Sequence, residues 1–286
     1  MALRAMDFAG SWYPADSAAC ERQIRDWWER PLPEGLPPAR LGVVPHAGWA
    51  YSGRLAARVF QALLPDPAVE LVIVVGGHLR PSDPVVAMVE GEWETPFGPM
   101  PIHGGFRDEL RALEAETTVR WETPQRYVAD NSTELQVPFA RYRYPRAELL
   151  PLRAPPGLGA LALGRYLADY LERTGLNAVG VASTDLTHYG PAYGFEPQGR
   201  GPQAVRWVRE ENDPAFIDAV ASGDGERVVS VANHRHCACS AGAVAALGEV
   251  ARHHAWRFEP LDYATSDDVK PGDSLNFVGY VAGVYR

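Results

Sequence analysis

The chain has 286 residues, 46% of them hydrophobic, and a formal net charge of -9 at pH 7, with an isoelectric point near 5.4. This is enough apolar material for a large buried core, near the upper end of what one α/β domain holds. The acidic balance and the lack of any basic run argue against nucleic-acid or anionic-membrane partners, since both require clustered Lys and Arg.

The opening stretch MALRAMDFAGSWYP lacks the apolar run of a signal peptide, and the longest aliphatic runs, such as LVIVV at 71–75, are too short to span a bilayer. A soluble, cytoplasmic protein is expected. Three cysteines, two of them Cys237 and Cys239, give no disulfide framework and leave reduced thiols available to a metal. Asp16 is placed to cap a helix in which Cys20, Ile24 and Trp27 or Trp28 recur at helical spacing, which puts Cys20 in the core.

β-branched runs follow at 41–44 (LGVV), 71–75 (LVIVV), 178–182 (AVGVA) and 275–285 (LNFVGYVAGVY). The first three are solidly apolar, as expected of strands covered on both faces. Helical patterns at 53–63 and 158–172 lie between them, and the proline clusters at 31–38 and 151–156 read as loops. Without internal repeats, the chain is expected to form one three-layer α/β domain over 1–286, around a central mixed, largely parallel sheet.

Each apolar strand runs into polar residues. The first ends at Pro45 and His46, the second at Gly76, Gly77 and His78, and the third at Ser183, Thr184 and Asp185, followed by His188. Ligands of open α/β sheets bind outside the carboxyl ends of the strands, so three such endings gather metal-competent groups at one edge. The flanking glycines permit the close backbone approach of a crowded site, and they also serve ordinary turns. A second cluster lies in NHRHCACSAGAVAAL at 233–247, where Cys239 precedes a small-residue helix whose N-terminus favours a thiolate. His234, His236 and Cys237 offer an alternative local metal tract, although their spacing matches no common zinc pattern. His103, His253 and His254 read as structural.

Six motifs, AGSWYP at 9–14, VPHAGWAYSG at 44–53, GGHLRP at 76–81, NSTELQVPF at 131–139, STDLTHYG at 183–190 and ACSAGAVAA at 238–246, occur in an order that resembles the Memo family, also called AmmeMemoRadiSam system protein B. The resemblance spans almost the whole chain. It implies the fold of the class III extradiol ring-cleavage dioxygenases, which hold non-haem Fe(II) with two histidines and a glutamate. By motif, His46 and His78 match the two histidine ligands and Cys239 takes the glutamate's place. His188 matches the acid/base histidine, Asp185 a residue lining the metal pocket, and Trp12 and Tyr51 aromatic residues at its entrance. Sulfur is softer than carboxylate, so copper or zinc competes with iron in such a site. One departure is Asn131, which stands where many relatives carry a histidine. Glu134, in the same motif, is open between an anchoring and a pocket role.

Three functions follow as expectations. The first is an iron-dependent oxidoreductase, a dioxygenase using O2 on a small phenolic or electron-rich substrate, with His188 moving protons and Asp185 orienting it. The second is a peptide- or phosphopeptide-binding protein whose groove is lined by Trp12, Tyr51 and Trp49. The third, implied by the family's name, is an accessory partner of AMMECR1-like and radical SAM proteins.

Overall fold

The computed structural model describes residues 2–32, 35–65, 67, 69–270 and 275–286. Among these described residues, twelve strands follow one another as β1 (Leu3–Arg4), β2 (Leu41–Val44), β3 (Leu71–Gly76), β4 (Val85–Ala87), β5 (Glu92–Trp93), β6 (Met100–Pro101), β7 (Val119–Trp121), β8 (Glu148–Arg153), β9 (Ala178–Ser183), β10 (His188–Tyr189), β11 (Phe258–Thr265) and β12 (Phe277–Tyr285). Nine of them form one sheet and β1, β5 and β6 a small separate one. The centre of the large sheet, β2-β9-β3-β8, is parallel throughout, while β4 and β12 flank it antiparallel. This is the mixed, largely parallel α/β sheet expected from the sequence.

The apolar strands alternate between two cores. Ile73 and Val75 face one with the helices Leu158–Thr174 and Ala241–His253, whereas Val72, Val74, Val179 and Val181 face the other with Ser17–Trp28 and Trp49–Ala62. Burial on both faces leaves such strands no polar positions, which accounts for their unbroken hydrophobic reading. Most sequence boundaries hold closely, but the proline cluster at 151–156, read as a loop, begins inside strand β8, where Pro151 pairs with Val74. Asp16 caps the first helix by accepting from Ala19 N–H at 2.9 Å, and Cys20 and Ile24 lie in the core. The helix expected at 53–63 starts earlier, at Trp49.

One topological feature makes room for a site. Strand β12 pairs with β11 along one edge, while its other edge is shared in succession by β10 at its start and β2 at its end. Where β2 stops after Val44, the chain beyond β9 crosses the gap through residues 184–187 before β10 resumes the pairing. The gap opens at the carboxyl ends of β2, β3 and β9, where ligands of open α/β sheets bind.

Candidate metal centre

His46 follows the end of β2 and is buried. Its backbone N–H donates to Asp185 Oδ1 at 2.7 Å, and Ala47 N–H reaches the same oxygen at 3.3 Å. Nδ1 of His46 lies 3.1 Å from Ser183 Oγ, which also accepts from Gln136 Nε2 at 3.2 Å. Ser183 Oγ can take a proton from Nδ1, the arrangement that a metal held by the Nε2 lone pair would require. Burial, reinforced by neighbouring His78, holds the imidazole well below its usual range and therefore neutral, the form that ligates metal.

His78 reaches the same point from β3. Both glycines before it are required: a Cβ on Gly76 would meet Ser132 Oγ at 2.3 Å, and Gly77 has φ +110° with Arg153 Cβ 2.7 Å from where its own would lie. The crowding expected of the GGH motif is thus real. Nδ1 of His78 stands 3.8 Å from Asp130 Oδ1, a carboxylate behind the ring. Asp130 also accepts from Ser132 N–H at 2.9 Å and faces Arg153 Nη1 at 3.6 Å.

Cys239 enters just before the helix Ala241–His253, as expected. Its Sγ accepts from Asp185 N–H at 3.3 Å, and its own N–H donates to Asp185 O at 3.2 Å. The helix N-terminus alone would favour the thiolate, but burial, together with the Asp185 carboxylate, pushes the thiol up to about 12. A bound cation reverses that balance, since a coordinating thiol deprotonates outright.

Nε2 of His46 is 3.1 Å from Nε2 of His78 and 3.1 Å from Sγ of Cys239, and the three donor atoms lie within 4.8 Å of one another. Atoms sharing a first-row metal at about 2.0–2.3 Å sit roughly 3–4 Å apart, so two imidazoles and one thiol fit such an ion. The alternative tract does not converge: Cys237 is buried in the core, His236 packs on Phe195, and His234 bonds its own helix at Ser230 O.

A cleft of about 560 Å³ opens above the donors, lined by Trp12, Tyr51, Asn131, Asp185, His188 and Tyr193 among others. His188 Nδ1 donates to Leu186 O at 3.2 Å, leaving Nε2 to exchange protons, and its ring packs edge-on against Tyr193. Asn131 donates to His46 O at 3.0 Å, so the residue that replaces a histidine holds the ligand loop. Trp12 is 40% exposed at the cleft, whereas Trp49 is only 3% exposed and does not line it. Placing Trp49 in the groove is therefore corrected. Its indole packs edge-on against Trp27 and tilted against Tyr13 and Phe139, and it donates to Leu135 O at 3.2 Å. Trp49 and Tyr51 are two apart on one helix and so point about 200° apart.

Glu134 is an anchor. Its carboxylate accepts from Asp7 N–H, Phe8 N–H and Tyr13 O–H at 2.7–3.0 Å and so holds the segment that carries Trp12 over the cleft. Sequence reasoning placed Ser183 at a strand end facing the site but missed Gln136 and Asp130, which with it contact the ligands, and Lys270, Tyr193 and Tyr280 in the cleft wall. Gln136 was the most accessible of these, since it lies inside the NSTELQVPF motif.

The Memo-like protein family model matches residues 4–284. The chain is 31% identical to a MEMO1 family protein of Methanothermobacter thermautotrophicus, covering 97% of this chain and 98% of that one, and 31% identical to one of Methanopyrus kandleri, covering 97% of each. A MEMO1 family protein of Pyrococcus furiosus is 28% identical over 99% of both chains. In fold, the chain resembles uncharacterized protein JW3007 from Escherichia coli K12 at a TM-score of 0.52 and 13% identity, over 84% of this chain and 98% of that one. With a family model matched from near the first residue to near the last and the ordered motifs assembled around one cleft, this chain belongs to the Memo family.

Proposed function

We propose that this protein is a non-haem iron-dependent oxidoreductase, a dioxygenase acting on a small phenolic or similarly electron-rich molecule. The observation that carries the reading is the convergence of His46, His78 and Cys239 beneath an open cleft, with a separate histidine on its wall. A redox-active metal with two histidines, one anionic ligand and open positions supplies the chemistry that lets O2 react with an organic substrate.

The protein's own part is positioning and proton handling. Ser183, itself hydrogen-bonded by Gln136, stands at His46 Nδ1 and would steady the ring when Nε2 faces a metal. The Leu186 carbonyl fixes His188 Nδ1–H, so a substrate hydroxyl in the cleft gives its proton to Nε2, and the same atom returns it to the product. Asp185 ties the His46 loop to the strand that leads to His188, which keeps base and ligand in register. Trp12, Tyr51 and Tyr193 offer flat apolar surface to an aromatic ring.

Elemental analysis after anaerobic purification tests this. The native protein should carry about one equivalent of iron, lost in Cys239→Ala and in His46→Ala, and should consume O2 with a catechol only when metal is present. A native protein that stays metal-free with iron supplied would sink the reading. Peptide or phosphopeptide binding in the same cleft would then lead, supported by the exposed aromatic surface of Trp12 and Tyr193 at its mouth.

A further inference from the structure

Behind the cleft, on the side away from the metal donors, lies a buried carboxylate that the chemistry above does not use. Asp213 is fully buried at the start of the helix Asp213–Ala221, directly after a π-helical turn over Val208–Asn212. Its Oδ1 accepts from Thr187 N–H at 3.1 Å and also from the Thr187 hydroxyl, and its Oδ2 accepts from Tyr263 O–H at 2.7 Å. Asn212 supports the same point by donating to Thr187 Oγ1 at 2.9 Å and to Arg235 O at 3.1 Å. Space is tight on the far side as well: a Cβ on Gly279 would fall 2.0 Å from Asp213 Oδ2.

An ion pair to Asp213 is absent among the described residues, although burying a carboxylate without a paired cation is costly. A feature kept against its own energetic cost tends to mark a site that has to be held in place. What it holds is the 184–188 arm. Thr187 is the one residue of that arm whose N–H and side chain both end on Asp213, and its carbonyl accepts from Gly279 N–H at 2.9 Å. The neighbouring residues on that arm, Asp185 and His188, line the cleft, and the His188 ring is oriented by the carbonyl of Leu186, next to Thr187. π-turns of this kind recur at functional sites.

We propose that Asp213 is a positioning residue: by gripping Thr187 it fixes the 184–188 arm, and with it the single orientation and tautomer of His188. It touches neither the donors nor the cleft and acts only through Thr187. Its importance for turnover rests on the proton-carrier reading of His188, but the positioning itself does not.

The test reads the imidazole rather than turnover. In nitrogen-15 histidine spectra of the full chain, with His188→Gln used to assign the signal, the native protein should show His188 as one Nδ1–H tautomer. In Thr187→Val and Asp213→Ala that pattern should give way to exchange between tautomers, and Thr187→Ser, which keeps the hydroxyl, should restore it. Zn(II) affinity, by chelator competition, should stay within about threefold of native in each variant. An unchanged His188 signal in folded Thr187→Val overturns the proposal, even if Asp213→Ala does not fold. A tenfold or larger fall in Zn(II) affinity in that variant also overturns it, because the whole end of the sheet would then have loosened. Absence of O2 uptake in the native protein would defeat the enzyme reading and leave this measurement standing.

Discussion

Two buried aspartates stand on opposite flanks of the site and titrate in opposite directions. Asp130, behind His78, is desolvated, yet the Ser132 hydrogen bond and the charges of His78 and Arg153 outweigh burial and hold it below the usual carboxylate range. Asp213, behind Thr187, accepts three hydrogen bonds without an ion pair, and burial pushes it up to about 6. At Asp130 one hydrogen bond joined by two nearby positive charges outweighs desolvation, whereas at Asp213 three hydrogen bonds and the more distant Arg209 do not. On the His78 flank, Arg153 donates to Glu122 at 2.6 Å and lies over the Tyr127 ring at 4.5 Å, so one cation serves two acids and an aromatic face.

The largest effect should come from removing that cation. Arg153→Met leaves Glu122 with only the half-exposed Arg120 and Asp130 with only His78 as cationic neighbours, and unfolding in urea should show a loss of up to about 3–5 kcal/mol. A loss below about 1 kcal/mol would show that the acids relax without it and would erase the contrast between the flanks.

Next comes pH dependence. Asp213 has a folded value near 6 against an ordinary 3.8, so its contribution is fully present below 3.8 and is lost as pH rises toward 6. The loss is up to about 3 kcal/mol, and it ends once the folded group has ionised. Asp213→Asn carries no such titration. The stability of the native protein relative to this variant should fall by up to that amount between pH 4 and pH 7, and a flat difference would refute the raised value. Asp130 runs the other way, with stability present above the usual carboxylate range and lost as pH falls.

Ser132→Ala gives the smallest effect. It removes a donor to Asp130 and the acceptor of Gly77 N–H, a bond of 2.7 Å, so about 1–2 kcal/mol should be lost in the same urea experiment. Because this bond sits beside His78, a parallel weakening of metal affinity is expected here and not in Thr187→Val.

Much of this was legible in the sequence. Strand identity comes from unbroken β-branched runs, which are local, and so do the His46, His78 and 184–188 endings, because a residue at the end of a parallel strand lies at one edge whatever the strand order. The Asp16 cap and the burial of Cys20 are equally local. Even the error at Trp49 was avoidable, because helical phase alone separates it from Tyr51.

The tertiary structure decided the rest. Residue types do not reveal that Gln136 meets Ser183 beside the His46 ring, that Glu134 clasps Phe8 across 126 positions, or that Asp213 closes on Thr187 while Arg153 lies within reach of Asp130. Sequence patterns report what each residue does to its own backbone and to neighbours within a few positions. The ionisation of a buried carboxylate depends instead on which distant charge packing brings within a few ångströms of it.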